Sequence, residues 1–189
     1  MIDKTIIKLL PNFLTFLRIA LTPICIYFLL QELYLLSLIL FLCASFTDFL
    51  DGYFARKYNS ISRLGAFLDP IADKLLVVGL FLSFYILNVV IDEYILFMIV
   101  FRDVFVTILR ISMESKGVTM MTSKVAKVKT AVQFFVIFML FLKLIFSITS
   151  NNGMIYCVSL VMAILTFYTG AHYLISNFRE LKNLMRAGK

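Results

Sequence analysis

The sequence predicts an all-α polytopic membrane protein, with six transmembrane helices preceded by a short N-terminal juxtamembrane amphipathic helix. Three observations predict it. Of the 189 residues, 62% are hydrophobic and only 15% are charged, where an ordinary soluble domain carries about a quarter charged residues. Apolar runs of membrane-spanning length recur at about 12–31, 34–56, 70–91, 94–113, 125–147 and 154–176. The connections between them alternate in charge. No Gly/Ser/Pro-rich linker, low-complexity tract or internal repeat interrupts the pattern, so residues 1–189 are expected to form a single domain.

The first eleven residues, MIDKTIIKLLP, set Ile and Leu among Asp3, Lys4 and Lys8. That pattern suits a short helix lying on a membrane surface. A secretory signal is the competing reading, but the apolar run that follows is too long, lacks an A-x-A site and is followed by further spans.

The first span carries Asn12, Thr15 and Arg18 at intervals of three, on adjacent turns of one helix. Arg18 lies about 9 Å of helix beyond Asn12, deeper than a boundary residue needs to be. The second span has an uncharged stretch only from Leu33 to Thr47, roughly 22 Å of helix. Since the hydrocarbon core is about 30 Å thick, Asp48 and Asp51 are expected slightly below the membrane boundary, facing a polar cavity or a bound ion.

The third span opens with Asp69 followed by Pro70. This reads as an N-cap and a first helical residue, so the helix is expected to start at Asp69. Arg102 and Asp103 fall near the middle of the fourth span. They point about 100° apart, need not pair, and are expected to face the bundle or a subunit contact. Lys124, Lys127 and Lys129 open the fifth span, followed by Thr130 and Gln133. The sixth holds the single histidine, His172, read as a packed or hydrogen-bonded residue outside any site. Cys25, Cys43 and Cys157 sit inside apolar runs without a pairing pattern, which reads as small buried hydrophobes.

The connections sort by charge. One side collects Lys4 and Lys8, then Arg56, Lys57 and Arg63, then Lys116 and the three lysines of 124–129, and finally Arg179, Lys182, Arg186 and Lys189. The other has Glu32, Asp92, Glu93 and the uncharged SITSNNG turn, with no Lys or Arg in the connections. The asymmetry assigns both termini and the Asp48–Asp73 loop to the cytoplasm. Tyr34 and Tyr94 suit interfacial anchors on the far side.

The chemistry is concentrated in residues 48–73, DFLDGYFARKYNSISRLGAFLDPIAD. Asp48/Asp51 and Asp69/Asp73 are spaced three and four apart, as carboxylates on one helix face are. If the two helices lie antiparallel, all four can converge. Converging carboxylates repel unless a cation neutralises them, and hard oxygen donors suit Mg²⁺, Mn²⁺ or Ca²⁺. A cation-lined cavity just inside the membrane surface is where a lipid headgroup can meet a water-soluble substrate.

This string is similar to the D-x2-D-G-x2-A-R-x8-G-x3-D-x3-D signature of the CDP-alcohol phosphatidyltransferases, filled here by Asp48, Asp51, Gly52, Ala55, Arg56, Gly65, Asp69 and Asp73. The resemblance implies a metal-dependent enzyme in which an alcohol attacks a CDP-activated lipid and CMP leaves. It implies Asp48, Asp51, Asp69 and Asp73 as ligands for Mg²⁺ or Mn²⁺, and Asp73 as the catalytic base. It also implies that Gly52, Ala55, Arg56 and Gly65 bind the CDP-lipid. The upstream P-N-x-x-T-x-x-R pattern, with Asn12, Thr15 and Arg18, likewise resembles the start of that family, near the nucleotide.

Lys127 to Gln133, K-x-K-T-x-x-Q, resembles the branch that takes glycerol 3-phosphate as acceptor, although Ala126 stands where that branch usually has Gly. Arg110, Lys124, Lys127 and Lys129 are then expected to bind the acceptor phosphate. The expected partners are CDP-diacylglycerol, glycerol 3-phosphate, membrane lipid and, by analogy with the family, a second copy of the chain, with no nucleic acid. The expected location is a bacterial inner (cell) membrane. The competing readings are family members with another acceptor, making cardiolipin, phosphatidylserine or an inositol phospholipid, and a divalent-cation transporter. Transporter sites usually lie near the midplane on broken helices, whereas these carboxylates crowd one boundary.

Overall fold

In a computed structural model, residues 4–57, 63–114, 124–148 and 152–177 are described, with side chains for 13–48, 50, 68, 69, 71–113, 128–148 and 152–177. Among them are six helices: α1 (Lys4–Leu30), α2 (Tyr34–Lys57), α3 (Arg63–Ile86), α4 (Glu93–Glu114), α5 (Lys124–Ile145) and α6 (Asn152–Ser176). Their packing closes a ring in the order α1, α2, α5, α6, α4, α3, back to α1, with α3 also touching α5.

Two expected boundaries move. The N-terminal segment is not a separate helix, because α1 begins at Lys4 and continues through Pro11. A proline withdraws one backbone donor from the helix interior without necessarily ending it. The third helix starts at Arg63, so Asp69 and Pro70 lie inside α3 and Asp69 is not its N-cap. The reason is visible in the periodicity: Leu64, Phe67, Leu68, Ile71, Ala72 and Leu75 recur at helical intervals through the proline.

One end of the bundle is closed by a recurrent device. Leu33 N–H donates to Phe28 O (2.9 Å) and Glu32 N–H to Leu29 O (3.1 Å), the paired bonds of a Schellman cap. The same pattern ends α3, through Val89 to Phe84 and Asn88 to Tyr85, and α5, through Ile148 to Lys143 and Ser147 to Leu144. Each cap needs a left-handed residue, supplied by Glu32 (φ 61°), Asn88 (φ 54°) and Ser147 (φ 49°) rather than glycine. At the same end Asp92 Oδ1 accepts Ile95 N–H (2.8 Å) as the N-cap of α4, and its Oδ2 accepts the Tyr156 hydroxyl (2.8 Å) from α6.

A cation also stands at this end. Lys143 in the last turn of α5 donates to Ile148 O (2.9 Å) and to Asn152 Oδ1, tying the end of α5 to the turn that follows and to the start of α6.

Polarity is distributed inside out. Phe13, Phe16, Phe97, Ile108, Phe135 and Ile175 are exposed, while Thr15, Arg18, Ser37, Arg102, Asp103, Lys129, Gln133 and Thr166 are buried. Water would reverse that arrangement, but a hydrocarbon surround favours it. The chain is therefore an integral membrane protein. Among the described residues, three helices contain stretches long and apolar enough to cross a bilayer, Phe13–Leu30, Val128–Ile145 and Asn152–Ser176, where six spans were expected, and Tyr34–Asp48 is a shorter apolar stretch. Cys25 is buried, its thiol against Ser37 O (3.3 Å), but Cys43 and Cys157 are exposed rather than packed inside. An apolar run on a lipid-facing helix exposes half its side chains, so hydropathy alone did not separate these cases.

The apolar core joins α2, α3 and α5 through Phe41, Phe84 and Phe141. Phe41 stacks on Phe141 (5.9 Å between ring centroids), and Phe84 meets Phe141 edge-on (5.2 Å). This packed layer lies about 10 Å of helix from Asp48 along α2 and about 16 Å from Asp73 along α3. It leaves the polar side chains gathered at the other end.

Candidate functional site

Arg18 organises the carboxylate end. Its side chain is 1% exposed, and its Nη1 contacts Asp48 Oδ1 (2.9 Å) from α2 and Asp73 Oδ1 (2.5 Å) from α3. One turn earlier on α1, Thr15 Oγ1 donates to Asp69 Oδ1 (2.6 Å). The three-residue interval between Thr15 and Arg18 is what lets one helix address both acidic residues of α3. Thr22 Oγ1 donates to Arg18 O (2.8 Å), tying the next turn of α1 to the same place. Asp48 and Asp73 are 40% and 39% exposed, so both carboxylates reach an open face.

Asp48, Asp69 and Asp73 thus come together at one end of α1, α2 and α3, with a guanidinium between two of them. Among the described residues, no three His, Cys, Asp or Glu side chains form a ready cation cage. The donor set fits a divalent metal all the same. Two hard carboxylate oxygens from different helices already converge on one positively charged nitrogen, and α2 carries Asp51 one turn beyond Asp48.

The basic end is built around Asp103, which is fully buried. Its Oδ1 accepts from Arg102 Nη1 (3.0 Å) and from Lys129 Nζ, and its Oδ2 accepts from Gln133 Nε2 (3.1 Å). Lys74 Nζ lies 3.8 Å from the same Oδ2. Arg102 and Asp103 therefore face the bundle and do pair, because the flexible arginine folds back along α4. Lys129 is buried against Asp103 at the inner end of the α5 lysine series.

A cavity of about 300 Å³ joins the two ends. Asp69, Asp73, Lys74, Arg102, Val106, Thr107, Arg110, Lys129, Thr130 and Tyr173 line it. Beside it runs an apolar groove of about 660 Å³ between α1, α3 and α4, lined among others by Ile19, Ile26, Leu75, Val78, Gly79, Val104 and Ile108. Lys74 and Thr107 belong to both walls. Gly79 allows α1 close to α3 here, since a Cβ would stand 2.5 Å from Ile26 Cδ1.

Of the residues expected at a site, Thr15, Arg18, Asp48, Asp69, Asp73, Arg110 and Lys129 come together. Asn12, Asp51, Gly52, Ala55, Arg56, Gly65, Lys124 and Lys127 lie on described helix backbone, but their side chains are outside the described residues. His172 is exposed and meets Ser176 Oγ at 3.3 Å, away from the cavity. Lys74 was not singled out from the sequence. The available signal was a lysine and an aspartate, Lys74 and Asp103, inside neighbouring apolar spans, where each charge needs a partner.

Comparison with known proteins yields one family and one recurrent activity. The family profile described as CDP-alcohol phosphatidyltransferase matches residues 8–169. The chain is 37% identical over 175 residues to the CDP-diacylglycerol–glycerol-3-phosphate 3-phosphatidyltransferase of Rickettsia felis, covering 88% of this chain and 93% of that one. It is 34% identical over 139 residues to the protein of the same name from Bacillus subtilis, covering 66% and 72%. A shorter segment of 64 residues is 53% identical to the Aquifex aeolicus protein of that name, covering 34% and 36%.

Proposed function

The chain belongs to the CDP-alcohol phosphatidyltransferase family, and from that premise we propose that it transfers the phosphatidyl group of CDP-diacylglycerol to glycerol 3-phosphate. The products are phosphatidylglycerophosphate and CMP. The observation that carries this reading is the single cavity in which Asp69 and Asp73 face Lys74, Arg102, Arg110 and Lys129. Carboxylates at one end suit a metal-bound pyrophosphate, and cations at the other suit an acceptor with a phosphate of its own. The relatives named above carry this activity in their names.

In this reading the acceptor hydroxyl oxygen bonds to the phosphatidyl phosphorus while the bond from that phosphorus to the CMP oxygen breaks. Asp73 takes the hydroxyl proton. Arg18 holds Asp73 and Asp48 in register and offsets their repulsion. Thr15 orients Asp69 through its hydroxyl. Family members generally use a divalent metal; here Asp48, Asp51, Asp69 and Asp73 would hold Mg²⁺ or Mn²⁺, which neutralises the pyrophosphate and polarises its phosphorus when bound.

Arg56 supplies charge to the pyrophosphate, and Asn12, Gly52, Ala55 and Gly65 make room for the nucleotide. Arg110, Lys124, Lys127 and Lys129 receive the acceptor phosphate. The apolar groove beside Lys74 suits an acyl chain of the lipid donor.

The proposed setting is a six-span, single-domain homodimer in a bacterial inner membrane, with both termini and the site on the cytoplasmic side. The positive-inside asymmetry supports the orientation. The test is CMP release by purified protein with CDP-diacylglycerol and Mg²⁺, offering glycerol 3-phosphate, serine, inositol phosphate or phosphatidylglycerol in turn. Release confined to glycerol 3-phosphate and lost in Asp73→Asn supports the proposal. Release with another acceptor would replace the acceptor, and folded protein that releases no CMP with any would overturn the reading.

A further inference from the structure

Asp103 has no part in the reaction as described above, yet it is the carboxylate on which Lys74, Arg102, Lys129 and Gln133 meet. We infer that Asp103 is a positioning residue that gathers Lys74, Arg102 and Lys129 into a seat for a phosphomonoester, so that an acceptor lacking a phosphate is poorly held. The inference rests on the glycerol 3-phosphate reading and specifies what builds its selectivity.

Charge and geometry support it together. Three cations from α3, α4 and α5 meet one carboxylate, leaving two positive charges in excess. A phosphomonoester carries about −1.5 to −2 at neutral pH and so matches that excess. Asp103 is fully buried and accepts from Arg102, Lys129 and Gln133. Without it, cations held in a medium of low polarity would repel one another apart. The three cations also line the cavity that holds Asp69 and Asp73, so a phosphate seated there keeps its glycerol hydroxyl beside the carboxylates.

A second residue completes the seat. Gly170 of α6 has no side chain where Arg102 passes, and a Cβ there would lie 2.7 Å from Arg102 Cγ. That atom belongs to the stem of the arginine rather than its free end, so even a methyl group must push Arg102 out of line.

The experiment compares wild type, Asp103→Asn, Gly170→Ala and Lys74→Met in the CMP-release assay, with KM measured separately for glycerol 3-phosphate and CDP-diacylglycerol. Each variant is expected to raise KM for glycerol 3-phosphate, Asp103→Asn by about tenfold or more, the loss expected for a charge-assisted hydrogen bond. For Asp103→Asn and Gly170→Ala, KM for CDP-diacylglycerol should stay within about twofold of wild type, since neither residue lines the groove assigned to the donor. Inorganic phosphate should compete with glycerol 3-phosphate in wild type and compete less well in the variants. A purely structural role would instead lower the active fraction, and with it kcat, and leave KM unchanged. That result would overturn the inference. Should Asp103→Asn fail to fold, Gly170→Ala and Lys74→Met decide by the same criterion, an unchanged KM in both overturning it. A wild-type protein that makes no CMP with glycerol 3-phosphate would overturn the acceptor reading itself, an outcome visible before any variant is compared.

Discussion

The guanidinium of Arg18 on α1 lies 2.5 Å from the carboxylate of Asp73 on α3, through the same nitrogen that contacts Asp48 on α2. One buried cation thus fixes the relative height of three helices at the acidic end. Arg18→Ala would leave two carboxylates facing each other at the rim of the bundle. It is expected to lower CMP release at least a hundredfold and to cost about 2 kcal/mol of stability, the worth of a hydrogen bond to a charged group. Arg18→Lys should recover part of the stability but less of the activity, since a point charge does not reproduce a planar fork. Activity assays and thermal unfolding in detergent check both.

Metal removal probes the same carboxylates from the other side. Treatment with EDTA is expected to stop CMP release, and added Mg²⁺ or Mn²⁺ to restore it, because an unneutralised pyrophosphate would meet Asp48, Asp69 and Asp73 unscreened. Activity that persists in excess EDTA would rule out the metal role.

The two glycines at helix contacts should respond differently. At Gly79 the obstructing atom is the terminal methyl of Ile26, which can rotate away into the groove. Gly79→Ala is therefore expected to be within about 1 kcal/mol of neutral, helped by the better helix propensity of Ala. Gly79→Leu should fill the groove and raise KM for long-chain CDP-diacylglycerol while leaving that for glycerol 3-phosphate unchanged.

Ser147 closes α5 at φ 49°, a conformation that a side chain disfavours. Ser147→Gly is expected to raise stability by about 1 kcal/mol, with activity unaltered because the cap lies at the end of the bundle opposite the cavity. A lower melting temperature would contradict the strain argument.

Much of the architecture was legible because it depends on local composition. Six helices and their approximate bounds follow from hydropathy. The start of α3 was not, because Asp69–Pro70 carries a strong local start signal while the helix runs back to Arg63 through the apolar periodicity of Leu64, Phe67 and Leu68. The Schellman caps were hidden for a related reason: Glu32, Asn88 and Ser147 stand where glycine would have announced them. At the site, the acidic residues were legible from their spacing, whereas Lys74 was not, since its meaning lies in a carboxylate 29 positions away in the chain.

The sequence by itself determined the chemistry available: four aspartates at helical intervals, a basic series opening α5, and the apolar chain that carries them. Only the tertiary structure decided how those charges pair. Arg18 serves two carboxylates and Asp103 gathers three cations because α1 stands between α2 and α3, and because α4 faces α3, α5 and α6 at one level. Helical periodicity gives the direction in which a side chain leaves its own helix, but the partner it meets depends on the order and depth of neighbouring helices. In a medium that cannot solvate a charge, that order and depth select which pairs form.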